Sequence, residues 1–404
     1  MNTSAELLMR ILNAFLYQKC LEPEFMQVFR KNNAGVLYLA KIHNVLGIAG
    51  YKVWEYYNRY APTDPDEKEM FVLSEQLYAM TVSRMVKREF GCQRLLQELE
   101  NEKIDYIPFK GIVVKDFYAI PELRTFGDID IIIHKEDRER CHALMLRLGY
   151  TAKVDFGEVY SYQKGCEHYE IHTSIMTINI TQNGAQKEYF EGLWNHAYQE
   201  SGHRWKLTPE FHFIYLVAHI AKHIYSSGAG IRMYLDLAFL LKSESEAFNW
   251  QWIMKEFENL GLGRFFALTI FCVQKWFGVM VPFKLSEPER EVVADFFDFT
   301  MEAGVFGKEG KRQSEAVIRH ARFREKRFVR FRALCNVLFP PAEAIRDKYD
   351  YIKKHPYLLP VAWVDRCLRN RQRIKNKIGE SGEIILAKTQ SIEKNTEFYH
   401  KIGL

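Results

Sequence analysis

One stretch, RTFGDIDIII at residues 124–133, limits what this chain can fold into more than any other. Ile129, Ile131, Ile132 and Ile133 are branched and apolar, so the stretch reads as a buried strand. Yet Asp128 and Asp130 stand at its start. A buried carboxylate without a partner is costly, and two close together repel one another as well. Residues i and i+2 of a strand share a face. The two aspartates therefore project together, while Ile129 and Ile131 face the other way into a core. Two carboxylates so placed suit a hard divalent cation such as Mg²⁺, whose charge offsets their repulsion. The simpler reading is a solvated strand end, with Asp128 capping a turn.

The strand belongs to a small α/β island inside a mostly helical chain, an α+β fold class. Residues 4–60 carry helical periodicity, with Leu7, Leu8, Ile11, Leu12 and Phe15 at i, i+3/i+4 spacing. Residues 34–54 read as a core helix rather than a membrane span, because Lys41, His43 and Asn44 interrupt them. The prolines and acids of APTDPDEKEM (61–70) mark a break, and a long helix is expected from about 66 to 101. IDYIPFKG (104–111) is a strand ending in a glycine turn. IVVKDFYAI (112–120) is a short helix stopped by Pro121, and KEDRERCHALMLRLGY (135–150) is an amphipathic helix. EVYSYQ (158–163) and EHYEIHTSI (167–175) alternate as half-buried antiparallel strands do. From about 187 onward helices are expected again, at 208–225, 232–243 and 263–278. This divides the chain into an N-terminal helical region (1–102), an α/β core (103–178), a helical region (179–300) and a basic helical C-terminal region (301–404).

Around the aspartates lie other charge-bearing residues. Glu170, on the later strand HYEIH, supplies a third carboxylate. His172 shares its parity and so its face. Ahead of the pair, Lys110 and Gly111 form a turn where backbone N–H groups can receive phosphate oxygens. Arg124, with its planar fork, is a second candidate phosphate ligand, and Gly127 stands beside Asp128. Turn, cations and paired acids together describe a site for a cation-bound triphosphate.

The order strand, glycine turn, helix, D-x-D strand, helix, strand, acidic strand resembles the nucleotidyltransferase superfamily with the DNA polymerase β-like core. More narrowly, FKG…Y-x-x-P-x-x-R-x-x-G-D-I-D-I-I-I…Y-E-I-H is similar to a bacterial family described as uncharacterised nucleotidyltransferases, over about residues 103–178. Tyr118, Pro121, Arg124, Gly127, Asp128, Asp130, Glu170 and His172 fall on its pattern. The resemblance implies one or two Mg²⁺ ions, or Mn²⁺, on Asp128, Asp130 and Glu170. It implies a nucleoside triphosphate over Lys110 and Gly111, and a hydroxyl near Glu170 that attacks the α-phosphate and releases pyrophosphate. The acceptor is a small molecule or a protein, with a protein AMP-transferase and a catalytically silent nucleotide-binding scaffold as alternatives. The wider superfamily carries Gly-Gly or Gly-Ser at the turn, where this chain has Lys110-Gly111.

Two further groups stand outside that pattern. HIAKH puts His219 and His223 on one helical face, but no glutamate follows the first histidine, so zinc-protease chemistry is not indicated. With Lys222, Arg232 and Asp236 they are expected to line the acceptor side of the cleft. The stretch 308–332 holds ten Lys/Arg against three Glu, with Phe323, Phe328 and Phe331 interleaved. It reads as a helix with a solvated basic face, and a net charge of only +5 weighs against nucleic acid as a partner. Seven dispersed cysteines without a C-x-x-C pair fit a reducing cytoplasm rather than a disulfide framework or zinc ribbon.

Overall fold

A computed structural model describes residues 3–154, 157–181, 185–226, 228–304, 339, 349, 351–352, 355–369 and 397–404. The basic stretch 308–332 lies outside the described residues.

Three helices open the chain: α1 (Thr3–Leu16), α2 (Pro23–Ile42) and α3 (Leu46–Arg59). The single core helix expected over 34–54 is therefore two. Asn44 at φ 55° takes the left-handed turn between them, a conformation asparagine tolerates better than most residues. The buried His43 beside it joins three elements. Its Nδ1 accepts from the Ile231 amide and its Nε2 donates to the Met301 carbonyl, both at 3.2 Å.

α4 (Pro65–Asn101) runs for 37 residues, as its pattern predicts. Its start is built from local chemistry. Pro65 follows the cap, Asp64 accepts from the Glu67 amide at 2.8 Å, and Glu67 reaches back to the Thr63 amide and hydroxyl. Arg30 closes both carboxylates at 2.8 Å.

The sheet follows: β1 (Tyr106–Phe109), the short α5 (Gly111–Val114), β2 (Ile129–Ile133), α6 (Arg138–Arg147), β3 (Thr151–Val154), β4 (Val159–Lys164) and β5 (Glu167–His172). After α7 (Gln186–Glu191) come β6 (Ala197–Ser201) and β7 (Arg204–Leu207). The seven strands lie in the order β3-β4-β5-β2-β1-β7-β6. β2 runs antiparallel to β1 and parallel to β5. Sequence reading gives helices from 187 onward, whereas two strands of this region extend the sheet. Their alternation is too short and too polar to register, and β6 is exposed along most of its length. β1 and β7 pair only at Tyr106 and Arg204. Pro108, two residues further along β1, has no N–H to donate.

Helices α8 (Pro209–Ser226), α9 (Ile231–Glu244), α10 (Trp250–Asn259), α11 (Gly263–Phe277) and α12 (Arg290–Ala303) complete the main body, and α13 (Leu359–Arg369) lies further on. No helix among the described residues is long and apolar enough to cross a membrane.

The sheet divides two cores. On one face Ile129, Ile131, Ile133, Tyr169 and Ile171 pack with Cys92, Leu95 and Leu99 of α4 and Leu144 of α6. On the other, Ile107, Phe109 and Ile132 join a larger cluster with α1–α3, α8, α9 and α11. Period-two alternation thus sends successive residues of β2 to different cores, and Asp130 shares the face of Ile132, toward α8.

His43 gives the fold a pH dependence. Burial pushes its imidazole down to about 4. In the unfolded chain it titrates near 6.5, so the unfolded state binds more protons between these values. Its contribution is full above the unfolded value and is lost as pH falls toward the folded one. In urea melts the unfolding free energy should drop by about 3 kcal/mol on its account between pH 7 and pH 4. His43→Gln should flatten that slope, and an equal slope in the variant would contradict the assignment.

Candidate active site

The β2–β5 register places Asp130 directly beside Glu170 and Ile132 beside His172. Alternation along β5 then puts His168, Glu170 and His172 on one face, the face of Asp128 and Asp130. His172 Nε2 lies 2.9 Å from Asp130 Oδ1 and 3.4 Å from Glu170 Oε2. One ligand atom from each of Asp130, Glu170 and His172 falls within 4.8 Å of the others. Sequence parity finds Glu170 and His172. It passes over His168, whose Nε2 meets Ser161 Oγ at 2.8 Å.

Lys110 closes the group from the opposite strand. Its Nζ sits 2.6 Å from the same Asp130 oxygen and 5.0 Å from the Phe109 ring centre. To reach there its backbone adopts φ 57°, ψ −129°, a region essentially reserved for glycine and worth about 1–3 kcal/mol of strain in other residues.

The three carboxylates differ electrostatically. Burial opposes ionisation of Asp130, but Lys110 and His172 outweigh it and hold the carboxyl well below the usual range. The hydrogen bond from His172 holds Glu170 low against its own burial. Burial, and then the charges of Asp130 and Glu170, push Asp128 up. Among the described residues no donor hydrogen-bonds to Asp128. Ionised, three carboxylates face one ammonium, which leaves two negative charges. A divalent cation balances them, so the donor set fits an ion of that charge with oxygen and imidazole ligands.

Arg124 and Asp236 pair deep in the structure. Arg124 Nη2 lies 2.6 Å from Asp236 Oδ2, and its Nε lies 3.1 Å from Oδ1. Tyr118 donates to the same Oδ1 at 2.7 Å. Arg124 and Asp236 are 7% and 6% exposed, so the pair is sealed from solvent. This places Arg124 behind the glycine turn. A Cβ on Gly111 would lie 2.9 Å from Arg124 Cζ and closer still to Nη1, so glycine is required there. Gly127 differs: a Cβ there would meet nothing within 4 Å. Its carbonyl and that of Phe126 each accept from Arg88 at 2.6 Å, which fixes the approach to Asp128 from α4. Nothing local in the sequence marks Arg88 for this task. Asp236, expected to line the acceptor side of the cleft, is buried and bonded to Arg124 and Tyr118 instead.

α8 covers the cleft. Tyr215 stacks on His219 (5.5 Å) and meets the tilted ring of Phe109 (5.5 Å). His219 and His223 bring their Nε2 atoms to 3.1 Å. Burial keeps both neutral, His223 at about 4. Among the described residues two cations here carry no carboxylate partner. Lys222 has no hydrogen bond or ion pair among the described residues, and burial followed by the charge of Lys110 pushes its ammonium down. Arg232 donates to the Thr125 carbonyl, its Nε is buried without a partner, and burial with Arg124 lowers it to about 10.

The profile of the family described as uncharacterised nucleotidyltransferase matches residues 31–278, well over half of the chain. The chain belongs to this family. The match reaches from α2 to the end of α11, so it takes in both walls of the cleft and not only the sheet. This nucleotidyltransferase is thus an enzyme that transfers phosphorus-containing groups. No curated protein and no solved structure matches it.

Proposed function

We propose that this nucleotidyltransferase moves a nucleoside monophosphate from a nucleoside triphosphate to a hydroxyl of a small-molecule or protein acceptor, with Mg²⁺ or Mn²⁺. The observation that carries this is the β2–β5 register, which sets Asp130 against Glu170 two residues after Asp128. Asp128, Asp130 and Glu170 would hold the cation. Its charge would neutralise the α-phosphate and the leaving pyrophosphate. Lys110 turns from Asp130 to the phosphates above the Gly111 turn. The acceptor hydroxyl lies toward Glu170 and His172 and gives up its proton there. Its oxygen bonds to the α-phosphorus, the bond from that phosphorus to the bridging oxygen breaks, and pyrophosphate leaves. Most of the rate comes from positioning and charge.

Lys222 and Arg232 complete the triphosphate side. Both lack a carboxylate, whereas Arg124 commits its fork to Asp236. Lys222→Met is therefore expected to raise KM for the triphosphate by about tenfold or more, equivalent to one charged hydrogen bond. Arg124→Met should act on stability and on the Gly111 turn rather than by removing a direct phosphate contact. Equal KM in wild type and Lys222→Met would remove that residue from the phosphate site.

The deciding experiment is a screen for pyrophosphate release from each of the four triphosphates with cell metabolites as acceptors. The Asp128→Ala/Asp130→Ala variant is the control, and intact-mass analysis of co-purified proteins tests a protein acceptor. Calorimetric binding of a triphosphate without pyrophosphate release would overturn transfer and leave a silent nucleotide-binding scaffold.

A further inference from the structure

α4 buries one face and, among the described residues, exposes the opposite one. Ser74, Thr81, Met85, Cys92, Leu95 and Leu99 point inward. On the outward side Val72 is 49% exposed, Met80 70%, Val86 50% and Phe90 67%. A stripe of uncharged positions runs along this side through Val72, Gln76, Ala79, Ser83, Val86 and Phe90, all exposed, with Lys87 beside it. Their spacing alternates four, three, four, three, four, which is the seam of a coiled coil. From Val72 to Phe90 it rises 18 residue steps, about 27 Å of helix at 1.5 Å per residue.

The seam reads the same in both directions about its centre. Reversal places Val72 against Phe90, Gln76 against Val86 and Ala79 against Ser83, with the two smallest side chains at the crossing. The exposed charges reverse too. Asp66, Glu69 and Glu75 outnumber Lys68 before the centre, while Arg84, Lys87 and Arg94 follow it. The helix dipole does not explain this, because its effect is confined to the terminal turns, and the last turn carries Glu98 and Glu100. A self-complementary stripe of this kind fits an isologous two-fold contact.

We propose that this face is a homodimer interface in which the α4 helices of two copies pack antiparallel. Glu69 then lies opposite the partner subunit's Gln93 and one residue from the partner subunit's Arg94 at each end of the seam. Because Arg88 of the same helix holds the carbonyls just before Asp128, the interface backs directly onto the candidate active site.

Light scattering of the full chain should give twice its 47.7 kDa. Ala79→Glu/Ser83→Glu should give monomer with an unchanged far-ultraviolet circular dichroism spectrum. Glu69→Arg should weaken the dimer at least tenfold, and adding Arg94→Glu should restore it. Ser83→Cys should cross-link to its partner with a short bis-maleimide above the wild-type background. A monomeric wild type would overturn the proposal, as would a dimer indifferent to these changes. A monomeric Ser83→Cys variant whose introduced thiol is shielded from maleimide would overturn it too, since another part of the chain would then cover the face.

Discussion

Asp130→Asn is expected to lower the rate of pyrophosphate release by about 10³-fold or more, the several kcal/mol that a correctly held cation contributes to the transition state. Asparagine keeps the shape of the side chain but neither balances Lys110 nor binds a cation as a carboxylate does. The Lys110 ammonium, 15% exposed, then faces a neutral partner, so some stability is lost as well. The double variant Asp130→Asn/Lys110→Met separates the two effects. It should recover stability, because an ion pair replaced as a unit costs less than one broken by half, and it should recover no activity. Steady-state pyrophosphate release and urea melts measure both. Near wild-type release by Asp130→Asn would end the reading of this carboxylate as catalytic.

Asp236→Ala is expected to destabilise the folded protein by about 3–5 kcal/mol, because it strands a buried guanidinium. Tyr118 loses its acceptor at the same time. The loss should reach the active site, since Arg124 fills the space over Gly111 and a guanidinium without its anchor no longer fixes the turn. Arg124→Met/Asp236→Leu should be more stable than Asp236→Ala alone, and the double-mutant cycle gives the coupling. Denaturant melts check the first claim. A loss below about 1 kcal/mol, the value of an exposed pair, would mean that the ion pair does not hold the two elements together.

The signals that survive in a sequence are periodic or local. The D-x-D strand declares itself by branched residues and parity, and α4 by a proline, an acid cluster and a long run of periodicity. Glu170 and His172 follow from the same two-residue rule. The break at Asn44 is harder, because apolar periodicity continues through it and the chain leaves the helix for only three residues, His43 to Val45. β6 and β7 escape for a related reason: they are short and polar, and they join the sheet by pairing with a strand almost a hundred residues away. Arg124 shows the wider difficulty. Its residue type and its position before the aspartates favour phosphate, while its actual anchor, Asp236, is 112 positions distant and nothing local announces it. The same holds for Arg88 and for the two unneutralised cations, whose significance depends on which neighbours lack a carboxylate.

The backbone at residue 110 carries a last implication. Glycine would adopt φ 57°, ψ −129° at no steric cost, yet the position holds lysine. Conformational preference and side-chain chemistry pull in opposite directions there, and chemistry has prevailed. A chain at ease with glycine in that turn would be the more relaxed molecule and would have given up its own counter-ion.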